Sequence, residues 1–219
     1  MKSKARHSCI TSSDCNCRYP LNIETSTMKN WWWIRHGPTH AKCMVGWADI
    51  AADLSDKSML IKLDEYLPRQ AKVISSDLSR AAETASAIEN GRVRLDNEFD
   101  LREFNFGDWD GKNWQEISKN YPKLSEEYWT QPGDIQPPNG ESWNQSSKRI
   151  NTCVDKINER IKCKNIIAVA HFGVILTQIQ RAMRISAVEV LANKIDNFSV
   201  TKISHNVDGW SVKEINKIL

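Results

Sequence analysis

The chain has 219 residues, 26% of them charged and 40% hydrophobic, enough for one α/β domain with a sizeable core. Formal net charge is +3, of which residues 1–27 supply +2 (Lys2, Lys4, Arg6 and Arg18 against Asp14 and Glu24); the remaining +1 gives no basic field for nucleic acid. No apolar run approaches the roughly 18 residues of a bilayer span, and six scattered cysteines without paired Cys-x-x-Cys spacing argue against structural zinc and for reduced thiols in the cytoplasm.

Residues 1–27 are rich in Ser, Thr and Asn and show neither helical nor strand periodicity. They are expected to be a disordered extension, or to follow from an initiation codon assigned too early; their Arg/Ser-rich, acid-poor character also faintly resembles an organelle transit peptide. Residues 28–219 are expected to form one domain. Trp31 to Arg35 reads as the first strand and Gly46-Trp47-Ala48-Asp49 as a loop. A helix starts at Leu54-Ser55-Asp56, with Ser55 or Asp56 as cap, and runs to about Tyr66. Lys72–Ser75 is a strand, and Leu78–Glu89 is a helix with Ala81, Ala85 and Ile88 on one face. Asn90-Gly91 stops that helix with left-handed backbone, and Val93–Leu95 is a short strand. Two short helices are expected near Trp114–Lys119 and Tyr121–Trp129, then a turn at Pro137-Pro138-Asn139-Gly140 and a long helix over Glu141–Cys163. Ile166–Ala170 is a continuous apolar strand, followed by a helix over Val174–Met183. Phe198–Ser204 and Trp210–Ile215, separated by Asp208-Gly209, form a closing hairpin. Strands alternating with helices imply a mainly parallel sheet between helical layers.

Four segments carry chemistry. Arg35-His36-Gly37-Pro38-Thr39 ends the first strand, where open α/β sheets place their ligands. Ser76-Asp77-Leu78-Ser79-Arg80 leads from a strand end into a helix; a cation there opposes the helix dipole, so Arg80 should have a partner other than Glu83 or Asp77. Leu101–Trp109 is a loop-like stretch that carries the Glu103 carboxylate between apolar anchors, and Ala170-His171-Phe172-Gly173 closes the late apolar strand with a second histidine. These segments match, in order, an R-H-G-x-T motif, S-x-L-x-R-A-x-x-T-A, L-x-E-x-x-x-G and A-H-x-G. From about Met28 to Ser204 the chain resembles the histidine phosphatase, or phosphoglycerate mutase-like, superfamily, which normally starts near Met28. The pattern is nearest to its α-ribazole phosphatase and broad-specificity phosphatase branch.

The resemblance implies a three-layer αβα sandwich and a metal-independent phosphomonoester hydrolase without a cofactor, acting on a small phosphorylated metabolite. His36 would be the nucleophile, Glu103 the proton donor and acceptor, and His171 a donor to the transferred group. Arg35 and Arg80 offer fixed forks for phosphate oxygens, replacing a metal in neutralising charge. Two adjacent cations should lower the pKa of His36 and keep it neutral. Thr39 either bonds the phosphate or caps the local turn. Phe172 stands where the family often has Gly, so its N–H can face phosphate while its ring narrows the pocket. His40 and His205 read as ordinary surface or loop residues, and Trp47, Trp109, Trp129 and Trp143 as core residues or substrate-mouth linings. Glu141-Ser142 reads first as helix initiation and second as a site contributor. Two alternatives stay open, a phosphoglycerate mutase and a non-catalytic phosphate-binding member. No nucleic acid or membrane partner is expected, and the sequence leaves the oligomeric state open.

Overall fold

Strand β1 (Lys29–Arg35) is apolar on both faces because helices cover both sides of it. Trp31 and Trp33 share one face, stacked with ring centroids 5.1 Å apart, while Ile34 points to the other. The computed structural model describes residues 28–219, and the expectations for residues 1–27 lie outside them. The other strands are β2 (Lys72–Ser75), β3 (Val93–Arg94), β4 (Asn165–Ala170), β5 (Val200–Asn206) and β6 (Gly209–Lys217). Their order in the sheet is β3-β2-β4-β1-β5-β6. The first four run parallel, and β5 and β6 are added antiparallel as a hairpin. The outer strand β6 pairs with β5 through register shifts near Lys202, and its Asn216 has φ +52°.

Among the described residues seven helices complete the layers: α1 (Lys57–Tyr66), α2 (Ser79–Ile88), α3 (Trp114–Asn120), α4 (Pro122–Thr130), α5 (Trp143–Arg160), α6 (Phe172–Met183) and α7 (Ala187–Leu191). One face of the sheet packs Ile34, Val73, Ile167 and Val169 against Leu60 and Leu63 of α1 and Ala81, Ala85 and Ile88 of α2. The other buries Trp31, Trp33, Ile166 and Ala168 under Ile150, Val154, Ile157, Val174 and Ile175. This is the αβα sandwich that the alternation of strands and helices implies.

Helix starts follow side-chain chemistry. The Asp56 carboxylate accepts from Met59 N at 2.9 Å, and Asn113–Glu116, Ser142–Gln145 and Ser186–Glu189 form reciprocal capping boxes. Four expectations need correction. The long helix starts at Trp143 because Ser142 is its cap, and it ends at Arg160. Helix α7 was not foreseen. The Leu101–Trp109 stretch is not purely loop: it lies between and includes parts of two 3₁₀ turns, Phe99–Leu101 and Gly107–Trp109. His205 lies within β5, with its Nδ1 3.1 Å from Asn158 Nδ2, rather than in a loop. His40 is at the surface, paired with Asp53 at 2.9 Å. Among the described residues no helix is long and apolar enough to cross a membrane.

Candidate active site

The register of β1 on β4 sets Arg35 beside Ala170, so the residues one step beyond, His36 and His171, emerge together at the carboxyl edge of the sheet. Their ring centroids are 5.1 Å apart. His36 Nδ1 lies 2.7 Å from the Gly37 carbonyl, which only accepts; Nδ1 therefore carries the hydrogen and Nε2 keeps its lone pair. Asn197 Nδ2 holds the His36 carbonyl at 2.7 Å, and Gly37 N donates to Thr84 Oγ1 at 3.0 Å. A side chain at Gly37 would meet the Phe198 ring at 2.8 Å, so the turn requires glycine. Burial, then Arg80 and Arg35, push the His36 pKa down to about 3, against the pull of the Gly37 bond. His171 is fully buried, and neither ring nitrogen has a hydrogen-bond partner among the described residues. Burial first, then His36 and the arginines, hold its pKa well below the ordinary histidine value.

Both arginines are held by backbone carbonyls. Arg35 Nη1 donates to Ile195 O at 2.6 Å, and its guanidinium lies 5.6 Å from the Phe172 ring centroid. Arg80 is 1% exposed and donates to Ala48 O at 2.8 Å and Gly46 O at 2.6 Å. Asp110 grips the other side of that loop, accepting from Gly46 N, Trp47 N and Ala48 N at 2.9, 2.7 and 2.8 Å. Arg80 thus pairs with neither Glu83 nor Asp77, and Asp77 instead accepts from Nε and Nη2 of Arg102, each at 2.7 Å.

Glu103 is 7% exposed and does not meet Arg102. Its Oε1 accepts from Phe104 N at 3.0 Å and Gly173 N at 3.1 Å, and its Oε2 lies 3.2 Å from Gly173 N. Burial raises its pKa, opposed by those two N–H groups and by Arg80 and Arg35. Gly173 is the second residue of α6, two beyond His171, so the carboxyl is tied to the helix that follows the second histidine. Phe172 is the first residue of α6, its ring packed against Arg35. Thr39 is half-buried, and its hydroxyl bonds to no described residue.

Beside Glu103 lies an apolar pocket walled chiefly by Phe104, Phe106, Tyr128, Trp129, Trp143 and Phe172. Trp129 and Trp143 therefore line this pocket, whereas Trp109 is fully buried in a separate cluster with Ile117 and Tyr128. Trp47 donates from Nε1 to Glu103 O at 2.8 Å. Sequence reasoning did not single out Asp110, Trp47 or Arg149 as supports. Asp110 sits in a generally acidic stretch and Arg149 in a helix; neither partner set is near in sequence. Among the described residues no three His, Cys, Asp or Glu side chains are grouped to hold a metal ion.

A mainly parallel sheet bearing paired histidines at its carboxyl edge, with one buried and one half-buried arginine and a buried carboxyl, offers an edge where a phosphoryl group could be held. A model of the histidine phosphatase superfamily (branch 1) matches residues 31–218, and the chain belongs to that family. It is 32% identical over 190 residues to phosphoglycerate mutase-like protein 4 of Arabidopsis thaliana, covering 82% of this chain and 81% of that one. It is 26% identical over 162 residues to the adenosylcobalamin/alpha-ribazole phosphatase of Salmonella typhimurium, covering 71% and 80%. The fold superimposes on Bacillus stearothermophilus YhfR with a TM-score of 0.80 at 24% identity, covering 87% of this chain and 98% of that chain.

Proposed function

We propose that the chain is a metal-independent phosphomonoester hydrolase that works through a phosphohistidine on His36. The observation that carries this reading is His171, a fully buried histidine with no partner for either nitrogen among the described residues, 5.1 Å ring to ring from His36. Unpaired buried polar groups are costly, and a bound phosphoryl oxygen is the acceptor that explains this one. Arg35 and Arg80 flank the same space and neutralise the transferred group.

The neutral His36 Nε2 attacks phosphorus and forms the N–P bond as the ester O–P bond breaks. The Gly37 carbonyl, bonded to Nδ1–H, takes up part of the positive charge that spreads over the ring. Glu103, whose protonated form burial favours, gives its proton to the leaving oxygen. As a carboxylate it then takes a proton from water while the water oxygen bonds phosphorus and the N–P bond breaks, which restores His36 and releases phosphate. The aromatic pocket beside Glu103 suits a phosphomonoester with an apolar leaving group. Between Gly107 and Gly140 six carboxylates face three lysines, a balance that disfavours the highly charged phosphoglycerates of a mutase.

The test is acid-labile, base-stable phosphorylation during turnover of an aryl phosphate, with chelator in excess. Label on His36, and loss of both label and turnover in a folded His36→Ala protein, are the expected results. Label elsewhere, or more than about 1% residual rate, would overturn the nucleophile assignment, given that removing such a group costs at least ~10⁴-fold.

A further inference from the structure

Arg149 lies in the middle of α5, yet its guanidinium turns away from solvent and uses all five of its N–H donors. Nη1 donates to Asp100 O at 2.9 Å and Arg102 O at 3.0 Å. Nη2 reaches Glu103 O at 3.2 Å and Glu141 Oε2 at 2.6 Å, and Nε reaches Glu141 Oε1 at 2.8 Å. Glu141 continues the same grip. Its Oε2 accepts from Asn105 N at 3.0 Å and from Ser146 Oγ at 3.1 Å, and its own N donates to Asn105 O at 2.7 Å. The stretch from Arg102 to Asn105 is neither helix nor strand, so its backbone groups need partners from elsewhere. This ion pair supplies them immediately on both sides of Glu103. Gly140 permits the approach, since a Cβ there would lie 2.6 Å from Asn105 O.

We propose that Arg149 and Glu141 are positioning residues for Glu103, fixing its backbone so that the carboxyl stays aligned with the leaving oxygen beside His36. The inference rests on the reading of Glu103 as proton donor. Two independent anchors then define that carboxyl. Gly173 N ties its oxygens to the helix after His171, and the Arg149–Glu141 pair ties its main chain to α5. A lysine at 149 keeps the charge opposite Glu141 but not the planar fork, so the carbonyls of residues 100, 102 and 103 cannot all be held.

The experiment compares kcat/KM for two esters with full-length Arg149→Lys, Glu141→Gln and Glu103→Gln proteins. 2,4-Dinitrophenyl phosphate has a leaving group that needs no proton, whereas 2-phenylethyl phosphate has one that does. Because kcat/KM reports steps only through leaving-group departure, the later hydrolysis of phosphohistidine does not enter it. Arg149→Lys and Glu141→Gln should lower the phenylethyl value by about 30- to 100-fold, with a loss on the dinitrophenyl ester at least about tenfold smaller. Glu103→Gln should show the same selectivity, and adding Arg149→Lys to it should cost less than about threefold more, because both act on one proton transfer. Selective loss in Glu103→Gln, with equal loss on both esters or no loss in the clamp variants, would overturn the positioning role and leave the proton-donor reading standing. Absence of selectivity in Glu103→Gln itself would overturn both. If Arg149→Lys does not fold, Glu141→Gln, which keeps side-chain size and an accepting oxygen, decides the same comparison.

Discussion

Substituting Gly173 by alanine probes how α6 sets the Glu103 carboxyl. A Cβ at this position would lie 2.6 Å from Glu103 Oε1 and 2.9 Å from two carbons of the Phe104 ring. Ordinary contact begins at 3.4 Å, so the carboxyl oxygen must retreat by about 0.8 Å, the difference between the two distances, or the helix must lift from Phe104. Overpacking of this kind costs about 1–3 kcal/mol, which for a chain of this size lowers Tm by roughly 2–12 °C. Retreat also stretches the bonds from Gly173 N to both carboxyl oxygens, and a misplacement near 1 Å at a reacting group costs about 100-fold in rate. Differential scanning calorimetry and kcat/KM for an alkyl phosphate give the two readouts. Gly173→Ala with unaltered Tm and a rate within about threefold of the parent would refute the argument that this contact sets the carboxyl.

Stability should also respond to pH through the buried histidines. An unfolded histidine takes up a proton near pH 6.5, whereas folded His36 stays neutral down to about 3, so stability falls as pH drops below 6.5. At pH 5 the contribution of His36 alone is about 2 kcal/mol, and His171 adds in the same direction. Glu103 has the opposite sign, its stabilisation being present below the unfolded carboxyl pKa and lost as pH rises through its raised folded value. Urea titrations at pH 6.5 and 5 should show His36→Asn losing about 1.6 kcal/mol less than the parent, because about 0.4 kcal/mol of the effect is already present at pH 6.5; equal losses would contradict it. Supplied with 3-phosphoglycerate and 2,3-bisphosphoglycerate, the protein should release phosphate with little formation of 2-phosphoglycerate. Efficient interconversion without phosphate release would favour the mutase alternative.

The strands were legible because buried parallel strands are written as short apolar runs, and Trp31–Ile34 and Ile166–Ala170 are the two clearest. The five side chains singled out by their motifs, Arg35, His36, Arg80, Glu103 and His171, do converge on one edge of the sheet; strand ends and a helix start fix four of them locally, and Glu103 is held by Gly173 N and Arg149. Helix α7 also had a local signal, Ser186 three residues before Glu189, but five residues are too few for a periodic pattern. The supports around the site were hidden for a different reason. Asp110 binds main chain more than 60 residues away, and Arg149 binds carbonyls more than 45 residues away, so neither contact leaves a pattern in sequence. Glu141 resembled the opening residue of a helix because the residue after it is the cap.

The outer strands of the sheet bear on how molecules of this chain meet one another. At one margin β3 is only two residues long. At the other, β6 spans nine residues, but its pairing with β5 is broken by register shifts and its backbone turns left-handed at Asn216. Lys213, Glu214 and Lys217 add charge along it. A regular outer strand is a template on which a neighbouring molecule can add its own, the first step toward fibrous aggregates. Here an incoming strand would find too few free backbone groups on β3 and a kinked, charged row on β6. Among the described residues, both margins of the sheet thus carry features that work against edge-to-edge pairing of crowded copies.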